Sequence, residues 1–520
     1  MKKDRYRMGF HLMPPKGWLN DPNGLCQFGG EYHVFFQYDP DWPRDGQKCW
    51  GHYVSADLVN WRFAGTALRP DRDFDRSGAY SGSAVVLSET AEAVSGPVVA
   101  VSVQEGQMPD RKQKLQIYYT GNVKLDGDYD YIDSGREANV VCTESTDGIH
   151  FSEKQLVMTN ADYPPDYTCH VRDPKVFVEH GMYYMVLGGR KRGAAAEAAS
   201  GSVPLPRKDF GAVLLYQSRD GLHWELKQEM TTTEPFGYMW ECPDLFSIGD
   251  LTCLSFCPQG LMAEPYRFQN TDQSGYVWLD GETVDAEAFT EWDMGFEFYA
   301  PQTFKDEHGR RLLIGWTGLP DTPYDNPTVE NGWLHCLTIP RELSVEAGKI
   351  FQNPAAELQG LKEDGQSFSG DAVSAETKDF SFWLQIEQMG TERFQLSMED
   401  HLFLKYENKV FTWEFPDGKT EAEDWGRGRR VRRMELEKLT DIQVLCDHSV
   451  LELFINGGER AMCGRFYPEV SGELTGGESE SLSSVRIQGC GARAVTHFWH
   501  MKAMEVRDDE TVIGDWGGTD

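Results

Sequence analysis

Short apolar runs set between Gly, Pro, Asn and Asp clusters fill the first two thirds of the chain. Helical periodicity is scarce there, so the pattern predicts an all-β fold. Five runs look alike: Tyr32 to Tyr38, Leu115 to Gly121, Tyr183 to Gly189, Leu251 to Cys257 and Arg311 to Gly318, with starts 83, 68, 68 and 60 residues apart. A second unit follows the first three runs, at Ser55 to Trp61, Ser145 to Phe151 and Ser218 to Trp224. Each is a Ser-x-Asp turn closed by an aromatic residue. A third unit lies upstream of four runs: Asp21-Pro22, Asp173-Pro174, Glu241-Cys242-Pro243 and Ala300-Pro301. The second run has Tyr80-Ser81-Gly82-Ser83 in its place, farther upstream, and 87–114 reads as an insertion.

Repeats of this length, each with several short strands, predict a β-propeller, and five returns predict five blades. The innermost strands of a propeller line one axial funnel. Asp21, Asp173 and Glu241, at equivalent places in their repeats, are therefore expected to converge there. The acid directly precedes Pro in two repeats and stands two residues before it in the third, an offset the sequence does not explain.

Residues 192–211 read as a loop excursion with a short helix at 194–199. Beyond Pro340-Arg341-Glu342-Leu343 strict alternation takes over, in Phe380 to Glu387, Arg393 to Met398, Val410 to Phe415, Ile442 to Leu445, Ser449 to Ile455 and Val485 to Gln488. With turns at Pro416-Asp417-Gly418 and Asn456-Gly457, this predicts an antiparallel sandwich. The expected organisation is a five-bladed β-propeller over 1–345, a linker at 346–360 and a C-terminal β-sandwich over 361–520, which offers a surface for homo-oligomer packing. The run Arg427 to Arg433 reads as a solvated face rather than a polyanion site.

Composition narrows the partners. Fifty Lys and Arg against 83 Asp and Glu give a formal charge of −33, which argues against nucleic acid and anionic membrane as partners. No run of about 20 apolar residues predicts a membrane span. Residues 1–10 carry no apolar stretch of the kind a secretion signal needs, and eleven cysteines without disulfide-framework spacing fit a reducing compartment; a cytoplasmic location is expected. No zinc-like ligand spacing, phosphate loop or dinucleotide fingerprint is present, and no metal or cofactor is expected.

Three carboxylates in one funnel suit cleavage of a glycosidic bond, which needs two acids whose pKa values are driven apart. Asp21, flanked by Asn20 and Asn23, suits an ionised nucleophile. Glu241, between Trp240 and Cys242, is expected in an apolar setting that favours its protonated form, as a proton donor requires. Asp173, beside Arg172, is expected to stay ionised, accept hydroxyl hydrogen bonds and stabilise positive charge on a sugar ring. Trp18, Trp50, Tyr80, Tyr238, Trp240 and Trp316 supply aromatic faces, some of which will be core. Gln37 ends the first inner strand as a candidate hydroxyl ligand, and Ser81-Gly82-Ser83 as a hydroxyl-binding turn. His11, His33 and His170 lack ligand spacing and read as structural.

With these residues in hand, the chain resembles glycoside hydrolase family 32, the invertase, levanase and sucrose-6-phosphate hydrolase group. The resemblance rests on Trp18 to Gly24, Trp50-Gly51-His52 with Asp57 to Trp61, Tyr80 to Ser83, Arg172-Asp173-Pro174, Glu241-Cys242-Pro243 and Phe298 to Gln302, and covers nearly the whole chain. It implies a five-bladed propeller with a β-sandwich, Asp21 as nucleophile, Glu241 as acid/base and Asp173 as transition-state stabiliser. It also implies fructose contacts from Asn20, Gln37, Trp50, Tyr80, Ser81 and Arg172, and retention of configuration with the working carboxyls about 5–5.5 Å apart. Tyr119 to Asn122, Cys257 to Leu261, Gln273 to Tyr276 and His335 to Leu343 are most similar to bacterial intracellular sucrose-6-phosphate hydrolases. Many relatives carry a further Trp-Gly ahead of Trp50; here that interval is Asp41 to Cys49, where Trp42 is the only aromatic. Lys48 is a candidate contact for a phosphate on the leaving glucose. The expected activity is a retaining β-fructofuranosidase on sucrose, its 6-phosphate or short fructo-oligosaccharides. The alternatives are an exo-fructanase on levan or inulin, and a non-catalytic carbohydrate-binding propeller.

Overall fold

A computed structural model describes residues 4–44, 46–88, 113–193, 208–281, 283–322, 324, 326–468 and 482–508. The interior of the expected insertion and the expected helix at 194–199 lie outside them. The chain is nearly all-β, as the alternation predicts, and no helix among the described residues is long and apolar enough to cross a membrane.

Five sheets follow one another along the first part of the chain. The first contains Gly17–Phe28, Glu31–Asp39, Cys49–Ser55 and Asn60–Leu68; the second Ala79–Ser88, Gln113–Lys124, Arg136–Ser145 and Gln155–Met158. The third contains Tyr167–Glu179, Met182–Lys191, Phe210–Ser218 and Glu225–Thr231, and the fourth Met239–Ile248, Leu251–Gln259, Gly275–Trp278 and Thr290–Glu291. The fifth is built on Tyr299–Lys305, Arg311–Thr317, Arg341–Glu346 and Lys349–Pro354. The first strands of the five sheets touch in sequence, and that of the fifth closes back on that of the first, so they form a ring. Each apolar run singled out in the sequence is the second strand of its sheet.

Polar side chains stitch neighbouring first strands together. Gly82 N donates to Asn23 Oδ1 at 3.2 Å, Val176 N to Ser83 Oγ at 2.9 Å, and Thr303 N to Asp244 Oδ2 at 2.7 Å. Gln302 Nε2, from the fifth sheet, reaches past the first sheet to Gly82 O in the second at 2.7 Å. The Ser-x-Asp units cap the turn between the third and fourth strands of three sheets. The Asp carboxylate accepts the serine hydroxyl and two backbone N–H groups, as at Asp57, with Val59 N at 3.1 Å and Asn60 N at 2.7 Å. This local bonding explains why the unit recurs.

The expected linker begins inside the fifth sheet, whose last strand is Lys349–Pro354. A tight hairpin at Ala347 (φ 50°) and Gly348 (φ 76°) returns the chain instead of releasing it. Two six-stranded sheets then form the sandwich, around a core that includes Phe382, Leu404, Trp413, Leu451 and Phe498. The two parts interlock. Glu505–Asp508 adds an edge strand to the first sheet, parallel to Asn60–Leu68. At the seam, fully buried Arg341 donates to Glu452 Oε2 at 2.7 and 2.9 Å and to Asp293 Oδ2 at 3.0 Å. His11 lies between Asp447 Oδ2 (2.8 Å) and Glu452 Oε1 (3.0 Å).

Burial acts to lower the His11 pKa, but hydrogen bonds and charge from Asp447 and Glu452 outweigh it and hold the imidazole at about 9 against an ordinary 6.5. The protonated form is thus favoured in the folded state. The stabilisation is complete below pH 6.5 and is lost as pH rises through about 9, by an amount on the order of 3 kcal/mol. Urea unfolding of the wild type should therefore show stability falling between pH 7 and 9, with a shallower slope in His11→Gln. Equal slopes in the two proteins would remove His11 as the titrating link.

Candidate active site

The site is built by an irregularity common to all five sheets. In each first strand two residues stand opposite one on the neighbouring strand: Asn20-Asp21 opposite Gln37, Tyr80-Ser81 opposite Thr120, Asp173-Pro174 opposite Leu187, Cys242-Pro243 opposite Phe256 and Ala300-Pro301 opposite Gly315. Such a bulge re-aims side chains and breaks the strict alternation. Asp173, Cys242 and Ala300, each the first bulge residue, take left-handed φ values of 65°, 47° and 46°. The three acids are therefore not at equivalent positions. Asp21 is the second bulge residue, Asp173 the first, and Glu241 immediately precedes its bulge. Proline is the second bulge residue in the third, fourth and fifth sheets, whereas Pro22 follows the first bulge and pairs with Phe36, so neither the acid nor the proline keeps one place relative to the bulge.

The bulges bring the acids together. Cys242 Sγ lies 3.8 Å from Asp21 Oδ2 and 3.7 Å from Asp173 Oδ2, and Cys242 N donates to the same Asp173 oxygen at 3.0 Å. Asp21 is held by Asn20 Nδ2 at 3.1 Å and Ser81 Oγ at 2.5 Å. Asp173 N donates to Thr120 Oγ1 at 2.9 Å. Both Glu241 oxygens are engaged. Oε1 accepts from Arg172 through Nε at 3.1 Å and through a second, shorter contact from Nη2, and Oε2 accepts from Tyr299 OH at 2.7 Å and Gln259 Nε2 at 2.9 Å. Arg172 is aimed by His170, whose Nδ1 lies 2.6 Å from Nη1 and whose Nε2 lies 3.0 Å from Tyr131 O. Burial, with Arg172, Arg136 and Arg190 nearby, lowers the His170 pKa to about 3. The ring is therefore neutral, its Nε2–H donating to Tyr131 O and its Nδ1 accepting from Arg172.

Two expectations about environment need correction. Glu241 was expected between apolar neighbours, but Trp240 points to the opposite face, stacks 4.1 Å from Phe256 and is fully buried. Strand residues next to each other in sequence do not share surroundings. Arg172 was expected to keep Asp173 ionised. Its guanidinium turns to Glu241 instead and stays 3.9 Å from Asp173 Oδ2. Burial, then the charges of Glu241 and Asp21, push the Asp173 pKa up against the pull of Arg172. Burial and Glu241 also raise Asp21, while Ser81, Asn20 and Lys48 pull it back.

The expected sugar contacts divide. Asn20, Ser81 and Arg172 touch the acids directly. Tyr80 is half-buried beside Ser81. Gln37 is buried opposite Asp21 and donates to Ala79 O at 2.9 Å. Trp50 has no accessible surface and donates to Tyr80 O at 3.0 Å, so the structure makes it a packing residue behind Tyr80. Lys48 donates to Asn20 Oδ1 at 3.2 Å and lies 4.5 Å over the Trp18 ring, and burial draws its pKa down to about 8. Trp42 packs on Trp18 at 5.8 Å, and Trp316 is buried beside Tyr299. Tyr238, 39% exposed, carries Arg190 over its ring. Sequence reasoning missed Cys242, Tyr299, Gln259, Thr120 and His170 as site residues. Tyr299 was findable, because aligning the repeats on their bulges puts it level with Glu241. Among the described residues no three His, Cys, Asp or Glu side chains are grouped to hold a metal.

The model of the glycosyl hydrolases family 32 N-terminal domain matches residues 11–354, and that of the family 32 C-terminal domain matches 371–488. The chain is 35% identical over 505 residues to the sucrose-6-phosphate hydrolase of Bacillus subtilis (strain 168), covering 91% of this chain and 92% of the relative. Its fold is similar to that of a sucrose-6-phosphate hydrolase from Lactobacillus gasseri, with a TM-score of 0.74 at 26% identity, over 96% of this chain and 94% of that one. A mutant family 32 β-fructofuranosidase from Bombyx mori, solved in complex with sucrose, matches with a TM-score of 0.71 at 26% identity, over 97% and 95% of the two chains.

Carboxyl titration by carbon-13 NMR should find Asp21 and Asp173 both above the ordinary aspartate value of about 4. Ser81→Ala removes a hydrogen bond to the Asp21 carboxylate and should move that group higher still. Unshifted titrations of both would contradict the crowding described here.

Proposed function

We propose that this chain, which belongs to glycosyl hydrolase family 32 and is a glycoside hydrolase, cleaves the terminal β-D-fructofuranoside bond of sucrose, sucrose-6-phosphate or short fructo-oligosaccharides with retention of configuration. The observation that carries the reading is the single hydrogen-bonded cluster of Asp21, Asp173 and Glu241 from three different sheets, joined through Cys242 and Arg172. Similarity to sucrose-6-phosphate hydrolases over most of the chain supports the substrate class.

In this reading Asp21 attacks the anomeric carbon of the fructosyl unit while Glu241 gives its proton to the departing glycosidic oxygen. A covalent fructosyl–Asp21 ester remains. Water then adds to the anomeric carbon, Glu241 takes its proton, and Asp21 leaves as carboxylate. Two uncharged donors, Asn20 and Ser81, hold Asp21 without neutralising it. Asp173 accepts sugar hydroxyls and opposes the positive charge of the oxocarbenium-like transition state. Arg172, Tyr299 and Gln259 fix the orientation of Glu241. Lys48, at Asn20 and near Asp21, acts on the nucleophile's side of the site. The sheets ending at Pro354 are the catalytic unit and the sandwich braces them. A cytoplasmic location and an oligomer formed through the sandwich belong to the same proposal.

Side-by-side assays on sucrose, sucrose-6-phosphate, kestose and inulin should place the highest kcat/KM on one of the first two; a maximum on inulin would favour an exo-fructanase. Asp21→Asn and Glu241→Gln should each lower kcat by at least about 10²–10⁴-fold with the fold intact by circular dichroism, and NMR should show β-fructofuranose as the first anomer released. Attack needs ionised Asp21, whose pKa is raised, so the acid limb of kcat/KM should lie above about pH 4, the ordinary aspartate value. Normal turnover by Asp21→Asn would remove the assigned nucleophile.

A further inference from the structure

Where the sandwich meets the loops of the fourth and fifth sheets, a cavity of about 360 Å³ is lined by Gln269, Thr271, Leu319, Tyr324 and the segment 428–432. It holds part of the arginine run that the sequence pattern assigned to a solvated face. Its cations are engaged unequally. Arg429 is fully buried and paired with Glu297 at 2.6 and 3.2 Å. Arg430 pairs with Asp424 at 2.8 and 3.0 Å and with Asp417 at 2.8 Å. Arg432 differs. Its guanidinium donates to Asn270 Oδ1 at 3.0 and 2.7 Å and to Val431 O at 3.0 Å, and it lies 4.5 Å over the Phe296 ring. It makes no ion pair among the described residues, although the chain carries a net charge of −33.

Arg432 is partly buried and no carboxylate among the described residues lies within ion-pairing distance; Glu297 and Glu291 act on it only from farther away, so an anion bound beside it would be stabilised. Its Nε–Nη2 edge already holds Asn270 Oδ1 and Nη1 holds Val431 O, which leaves two Nη N–H groups for a phosphate, and Thr271 adds a hydroxyl to the lining. A relay of contacts links the cavity lining to Glu241. Gln259 donates to Glu241 at 2.9 Å, Gly260 N donates to Asp272 Oδ1 at 3.2 Å, and Thr271 directly precedes Asp272. Burial and the charge of Glu241 raise the Asp272 pKa to about 6, which fits the same proximity.

We propose that this cavity is a phosphate site anchored by Arg432, which takes the phosphate monoester of a phosphorylated disaccharide whose fructosyl end occupies the funnel. The proposal rests on the fructoside-hydrolase reading and deepens it, since it assigns the discrimination between phosphorylated and plain substrate to the sandwich. Lys48, held at Asn20, is then not the group that reads the phosphate.

The test compares kcat and KM on sucrose and sucrose-6-phosphate for the wild type, Arg432→Gln and Arg432→Lys. Arg432→Gln should lower the preference for the phosphorylated sugar by about 10–100-fold through KM, the worth of one charge-assisted pair, and leave sucrose turnover unchanged. Arg432→Lys should retain part of the preference. Inorganic phosphate provides a second arm. If free phosphate is the ligand, it alters sucrose hydrolysis by the wild type and not by Arg432→Gln, while the substrate ratio stays constant; the site then stands with a different source of phosphate. An unchanged ratio in all three proteins together with no effect of phosphate overturns the site. Should Arg432→Gln fail to fold, Thr271→Val takes its place, with the same outcomes deciding. A wild type inert on both sugars would sink the hydrolase reading instead, and a phosphorus-31 titration of wild type against Arg432→Lys would then judge the cavity alone, weaker binding by the variant supporting it and no binding by either overturning it.

Discussion

One extra residue, inserted at the same level of every inner strand, is the constraint on which the site depends. A regular strand sends alternate side chains to opposite faces, so a ring of regular strands would present one residue in two to the axis. The two-against-one register at Asn20-Asp21, Tyr80-Ser81, Asp173-Pro174, Cys242-Pro243 and Ala300-Pro301 breaks that rule at one height. It lets Asp21, Asp173, Cys242 and Glu241 meet although they occupy three different places relative to their bulges. The left-handed backbone at Asp173, Cys242 and Ala300 is unfavourable for residues with a Cβ. It is held by the cross-strand bonds among Asn23, Gly82, Ser83, Val176, Asp244 and Thr303.

Crowding three carboxylates in such a place creates an electrostatic problem, and the solution is uneven. Arg172 commits both Nε and Nη2 to Glu241 and remains at 3.9 Å from Asp173. Asp21 and Asp173 are left to neutral donors: Asn20, Ser81, the Cys242 backbone and its thiol. Neutral donors stabilise charge without cancelling it, so burial and mutual repulsion win and both pKa values rise. A second guanidinium would have quieted these groups. Its absence from their immediate contacts leaves both pKa values raised.

How much of this was legible follows from what kind of neighbour matters. The second strands, the Ser-x-Asp turns and the sandwich depend on residues near in sequence or repeated along the chain, and these were readable; the convergence of the three acids was readable too, but not their unequal places relative to the bulges. The surroundings of Glu241 were not. Its partners Arg172, Gln259 and Tyr299 lie 69, 18 and 58 residues away, while its sequence neighbour Trp240 belongs to the core. Trp50 was misplaced for a related reason: a motif shows that a tryptophan is present but not which face of the strand it takes. His170 lacked any ligand pattern because its work is to hold an arginine, for which no spacing rule exists.

The arginine run shows the same limit at the scale of the whole chain. A net charge of −33 suggests that a basic stretch is surplus and solvated, yet the seam between the two parts buries Asp293, Glu297, Asp447 and Glu452. Buried carboxylates need counter-charges in place: Arg341 and His11 supply Glu452 and Asp447 from across the seam, Arg429 supplies Glu297 likewise, and Arg341 also reaches Asp293 in its own part. Arg429 and Arg432 have the same sign and neighbouring positions but different surroundings: one is paired with Glu297, the other rests on Asn270, a carbonyl and the Phe296 ring. Overall charge therefore predicts which partners a protein repels at a distance. The role of an individual cation is decided by whether a carboxylate reaches it first.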